Sequence, residues 1–126
     1  SVEGTDMARL REQDRAKAAQ AAVKELLGSQ KDAAAVVQEL RGLPARIQSC
    51  GLGQTLAFYA SKKGYYAQIG SQIARVVSSK SKDTLSLLNE ITGEMDGAAY
   101  RRATREALAL SEWMKRYGVA MDPAKE

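Results

Sequence analysis

An apolar stripe made of Val36, Leu40, Leu43, Ile47 and Cys50 keeps phase at 100° per residue while crossing a proline. Pro44 forfeits one backbone hydrogen bond and kinks a helix, at a cost of about 3 kcal/mol in isolation. The stripe nevertheless continues on both sides of it. The pattern therefore predicts one kinked helix from Lys31 or Asp32 to Cys50, in preference to a break with Pro44 opening a new helix. Before it, Ala19, Val23, Leu26 and Leu27 share one side of a helix predicted from Thr5 to Leu27, capped by Thr5 or Asp6 and stopped by Gly28. Met7 and Leu10 point nearly the opposite way. That first half is either a surface for another protein or a frayed amphipathic start.

Gly51 suits the left-handed residue that stops a helix. A third helix follows from Leu52 to Lys63, with Leu52, Leu56 and Tyr59 inward and Phe58 and Lys62 on another side. A fourth, Tyr65 to Ser79, carries Tyr66, Ile69, Ile73, Val76 and Val77, with Arg75 opposite. After the polar connector "SSKSKD", Asp83 caps a short fifth helix through Thr92, its stripe formed by Leu85, Leu88 and Ile91. The last helix, Asp96 to Tyr117, has the widest stripe: Tyr100, Ala103, Ala107, Leu110, Met114 and Tyr117. Arg101, Arg105, Glu112 and Arg116 occupy its outer face, and Trp113 borders the core. The fold class is all-α: a compact single-domain bundle of about six helices spanning residues 1–126.

Composition sharpens this picture. The 126 residues are 44% hydrophobic and 27% charged, with a net charge of +4, a balance suited to RNA or an acidic protein and equally to solubility. One cysteine, Cys50, leaves no intramolecular disulfide and reads as a small buried apolar residue. No apolar run approaches the ~20 residues that span a bilayer, and "SVEGTDMARLR" lacks the apolar stretch of a secretory signal. A cytoplasmic setting is expected. The chain has no histidine, so the usual neutral-pH base and the commonest metal ligand are missing. A Mg²⁺-dependent nuclease would need Asp83, Glu90, Glu94 and Asp96 to converge, yet these lie on helix ends and turns. No catalytic residues, metal site or cofactor are expected.

The Gly-Leu-Gly at residues 51–53 satisfies neither the P-loop nor the dinucleotide pattern and reads as a helix stop. The basic clusters remain. Arg101 and Arg105 stand one turn apart and suit phosphate or carboxylate recognition. Lys62, Lys63 and Arg75 are further candidates for RNA. Arg102 is expected to pair with Glu106, and Arg116 with Glu112, at i,i+4 spacing. Met7, Leu10, Phe58 and Trp113 are candidates for protein interfaces.

Two segments, "LPARIQSCGLGQTLAFYASK" and "YRRATREALALSEWMKRYGVA", closely resemble the signature segments of the small, fifth subunit of the Cmr complex, the type III-B CRISPR effector. There a leucine-proline helix meets a "GL…TLAF" helix, and a "YR…T.EAL…W.KR" helix closes the chain. The resemblance implies a non-catalytic helical subunit acting in antiviral defence. Its copies stack head to tail beside the repeated backbone subunits, and its basic residues face the guide and target RNA. It implies as partners the other Cmr subunits, further copies of the chain and RNA, with no membrane.

Overall fold

The computed structural model describes the backbone of residues 2–29 and 32–125, and the side chains of residues 11–29 and 32–125. Six helices follow in order: α1 (Val2–Ser29), α2 (Ala33–Cys50), α3 (Leu52–Lys62), α4 (Gly64–Val77), α5 (Thr84–Gly93) and α6 (Gly97–Ala120). No strand occurs among the described residues. α1 is longer than the sequence pattern predicts at both ends, and α6 runs on to Ala120.

α2 continues through Pro44, and Val36, Leu40, Leu43, Pro44 and Ile47 are all buried. Packing of this stripe outweighs the bond that the proline cannot make. Asp32 starts the helix by accepting the Ala35 N–H at 3.1 Å. Gly51 ends it at φ +86°, donating its N–H to the Ile47 carbonyl at 2.8 Å. Cys50 corrects the expectation of burial, for it is exposed. The stripe loses its cover one turn early, because the chain leaves the helix at Gly51.

Around α6 the core closes. The helix lays Ala103, Ala107, Leu110 and Met114 against α2 and α1, all four buried. α2 and α6 run antiparallel: Gly118 faces Leu40, and the Tyr100 hydroxyl reaches Gly51 and Gly53. α3 packs on α4 and α5, and α4 bridges to α1 and α6. One cluster joins these layers, from Ala19, Val23 and Leu26 through Leu52, Leu56 and Tyr59 to Ile69, Ile73 and Leu87. Leu85 corrects a second expectation. It is 57% exposed, and Leu87 takes the buried place in α5.

Candidate nucleic-acid interface

The cations of this chain divide by whether a carboxylate holds them. Arg15 lies on α1, yet its Nε and Nη2 donate to Glu106 of α6, both at 2.9 Å. These bonds hold the Glu106 carboxyl below the usual range, with burial opposing them. Arg46 clamps Glu39 through Nε at 2.8 Å and Nη2 at 3.1 Å. Arg75 pairs with Glu25 at 3.4 Å, and Lys80 pairs with Glu94. The expected Arg102–Glu106 pair is thus replaced by one that spans 91 positions of sequence. Glu112 and Arg116 form no ion pair with each other either.

The outer face of α6 changes as a result. Arg101, Arg102, Arg105 and Arg116 are all exposed and make no ion pair among the described residues. Glu112 is the one exposed acid beside them on this helix. Arg101 folds its guanidinium back over the first turn, 3.2 Å from where a Cβ at Gly97 would stand. Arg102 and Arg116 are members of this face that local spacing misassigns. No nearby residue signals that Glu106 is already occupied.

Lys62 and Lys63 form a second exposed pair at the α3–α4 junction. Lys63 adopts φ 61°, ψ −163°, a backbone that side-chain-bearing residues rarely take and that costs on the order of 1–3 kcal/mol. Lys62 Nζ lies 5.6 Å from the centre of the Phe58 ring. Arg101 begins near the start of α3, because the Tyr100 hydroxyl accepts the Gly53 N–H at 3.1 Å. Lys62 lies nine residues further along α3, roughly 14 Å at helical rise. Arg101 and Arg105 thus form one exposed pair on α6, and Lys62 and Lys63 another at the α3–α4 junction. Arg75 stands away from both, against α1.

Phe58 is half-buried in an aromatic cluster of its own chain. The Arg46 guanidinium lies 4.5 Å over its ring, and Tyr66 meets it edge-on at 5.5 Å. Trp113 is also half-buried, and its indole N–H donates to Glu12 at 2.7 Å while its ring stacks on Tyr117. The side chains of Met7 and Leu10 lie outside the described residues.

The four acids considered for metal catalysis are occupied separately. Asp83 caps α5 through the Ser86 N–H at 2.8 Å, and Asp96 caps α6 through the Ala99 N–H at 2.8 Å. Glu90 accepts the hydroxyls of Ser78 and Ser81 at 2.6 and 2.7 Å, which lowers its carboxyl pKa. Glu94 takes Lys80. Among the described residues no three histidine, cysteine or acidic side chains are grouped to hold a metal ion, and no helix is long and apolar enough to cross a membrane.

Fold and surface define the class: a small all-α protein with four exposed arginines, unpaired among the described residues, along its last helix and an exposed lysine pair at one interhelical turn, among other exposed cations. The chain belongs to the family described as CRISPR-associated protein (Cas_Cmr5), whose profile matches residues 11–121. It is 36% identical over 80 residues to the CRISPR system Cmr subunit Cmr5 of Thermus thermophilus, covering 63% of this chain and 68% of that protein. The crystal structure of a CRISPR-associated Cmr5 family protein from Thermus thermophilus has the same fold. The TM-score is 0.76 at 31% identity, over 87% of this chain and 96% of that one.

Proposed function

We propose that this chain is a non-catalytic structural subunit of a cytoplasmic type III-B CRISPR ribonucleoprotein. In this reading it stacks beside the repeated backbone subunit and further copies of itself and helps hold target RNA against the guide. No cofactor or membrane is involved. The observation that carries the RNA part is the outer face of α6, where Arg101, Arg102, Arg105 and Arg116 are exposed without an ion pair among the described residues, Arg102 because Arg15 holds Glu106. Exposed guanidinium groups at one-turn spacing suit successive phosphates. The charge is modest in one copy, so strong capture requires several aligned copies acting through effective concentration.

The test compares target-RNA capture by the reconstituted complex with and without this subunit, at two salt concentrations. Phosphate contacts make capture weaker and its salt dependence flatter when the subunit is left out. Equal capture and equal salt dependence in a complex that still assembles would reduce the chain to a helical protein–protein adaptor.

A further inference from the structure

A cleft between α1 and α4 has a composition that neither packing nor phosphate capture explains. Gln68, Ser71, Gln72 and Arg75 line its α4 side, and Glu25, Leu26 and Ser29 line its α1 side; Gln68 and Ser29 are already partnered. Gln72 is only 8% exposed, and its side chain makes no hydrogen bond to any described residue. Every fully buried side-chain nitrogen or oxygen among the described residues has a partner. The Gln72 amide therefore keeps its small exposure where it borders the cleft. A nearly buried amide without a protein partner is unfavourable, and a leucine would fill the position without that cost.

The remaining groups complete a recognisable set. The Ser71 hydroxyl donates to the Ala67 carbonyl at 3.0 Å, so towards the cleft it can only accept. The Arg75–Glu25 pair at 3.4 Å is exposed on both sides, with side-chain exposures of 48% and 59%. Such a solvent-exposed pair is weak and yields readily to a better partner. Leu26, 1% exposed, supplies an apolar wall.

We propose that this cleft binds an adenine ribonucleotide. A glutamine amide pairs in two-pronged fashion with the N6 and N7 edge of adenine. The Arg75 guanidinium takes the phosphate with donors left over for Glu25. The Glu25 carboxylate accepts the ribose hydroxyls, and the 2′-hydroxyl separates ribose from deoxyribose. The cleft, open to solvent on one side, has a volume of about 300 Å³, on the scale of one nucleotide. The nucleotide is either free or an unpaired residue of an RNA strand. The assignment is independent of RNA capture along α6, so the two stand or fall separately.

The test is a titration of the full chain, isotope-labelled for nuclear magnetic resonance, with AMP, dAMP, adenosine and a short single-stranded oligoadenylate. AMP shifts the Gln72 side-chain amide and the Arg75 side chain and saturates at millimolar concentrations. Gln72→Leu, which suits a buried helix position, weakens AMP about tenfold or more. Arg75→Gln weakens AMP and leaves adenosine unchanged. dAMP binds more weakly than AMP. Oligoadenylate shifting the same resonances assigns the site to RNA, whereas binding of the mononucleotide alone assigns it to a free nucleotide. An unmoved Gln72 amide at millimolar AMP, or a Gln72→Leu variant that binds as wild type does, overturns the proposal.

Discussion

The Tyr59 hydroxyl donates a 2.6 Å hydrogen bond to Oε2 of Glu39, the same oxygen that accepts Arg46 Nε at 2.8 Å. Tyr59 is fully buried on α3 and Glu39 lies on α2, so one carboxylate ties the kinked helix to its successor. Burial and the neighbouring carboxylate raise the Tyr59 phenol well above its ordinary pKa, so the proton stays on the bond at every physiological pH. Arg46 then spreads over Phe58, which accounts for the half-burial of that ring.

Tyr59→Phe keeps the ring and removes only the hydroxyl. A hydrogen bond to a charged group contributes about 1.5–3 kcal/mol. The variant is expected to lose about 2 kcal/mol in urea unfolding, with an unchanged slope. A loss within experimental error would show that Arg46 alone satisfies Glu39.

Gly70 of α4 packs directly against Thr84 at the start of α5. A Cβ there would land on the Thr84 hydroxyl and 2.8 Å from Thr84 Cγ2. That hydroxyl also donates to the Ala67 carbonyl at 2.5 Å. Gly70→Ala is therefore expected to destabilise by about 1–3 kcal/mol through overpacking, despite alanine's better helix propensity. Adding Thr84→Ala should recover part of the loss. A stabilised single variant, measured by thermal unfolding, would contradict the close contact.

The Glu106–Arg15 clamp gives acid stability a defined sign. The native carboxyl titrates below its ordinary value because Arg15 donates two hydrogen bonds to it. Its contribution is complete above the unfolded value of about 4.3 and fades as pH falls through the lower native value. Glu106→Gln should thus be less stable than wild type at neutral pH, with the gap narrowing in acid. A gap that stays constant over that range would show that the charge adds nothing. Some acid sensitivity persists in the variant, since Asp83 and Glu90 are lowered as well.

Sequence patterning located the helices because the core is built from stripes that keep phase over many turns. Leu40, Leu43 and Ile47 carry α2 past Pro44, and Asp32, Asp83 and Asp96 each cap the helix that follows. Patterning failed where a stripe is short or meets a helix end. Cys50 lies one residue before the turn at Gly51, and ten-residue α5 offered too few turns to choose between Leu85 and Leu87. The site was harder to read for another reason. The i,i+4 rule assigned Glu106 to Arg102, but a partly buried interhelical clamp from Arg15 outcompetes a solvated pair on one helix. The Gln72 cleft had no local signal, because nothing in "GSQIAR" shows that its amide would face a gap between helices.

The arginine face of α6 yields the last prediction. Arg101 and Arg105 are exposed, carry no ion pair among the described residues and lie opposite the buried Ala103–Ala107–Met114 stripe. Replacing both with glutamine should change folding stability by no more than about 0.5 kcal/mol. If each guanidinium contacts one phosphate in the assembled complex, the double variant weakens target-RNA capture and flattens its logarithmic salt slope by about 1 to 2 per copy engaged. Adding Arg102→Gln should extend both effects, since the Arg15 clamp on Glu106 leaves Arg102 free to act. Normal assembly with unchanged capture and slope would remove this face from the RNA path. Failed assembly of a folded variant would instead make it a contact with a neighbouring subunit.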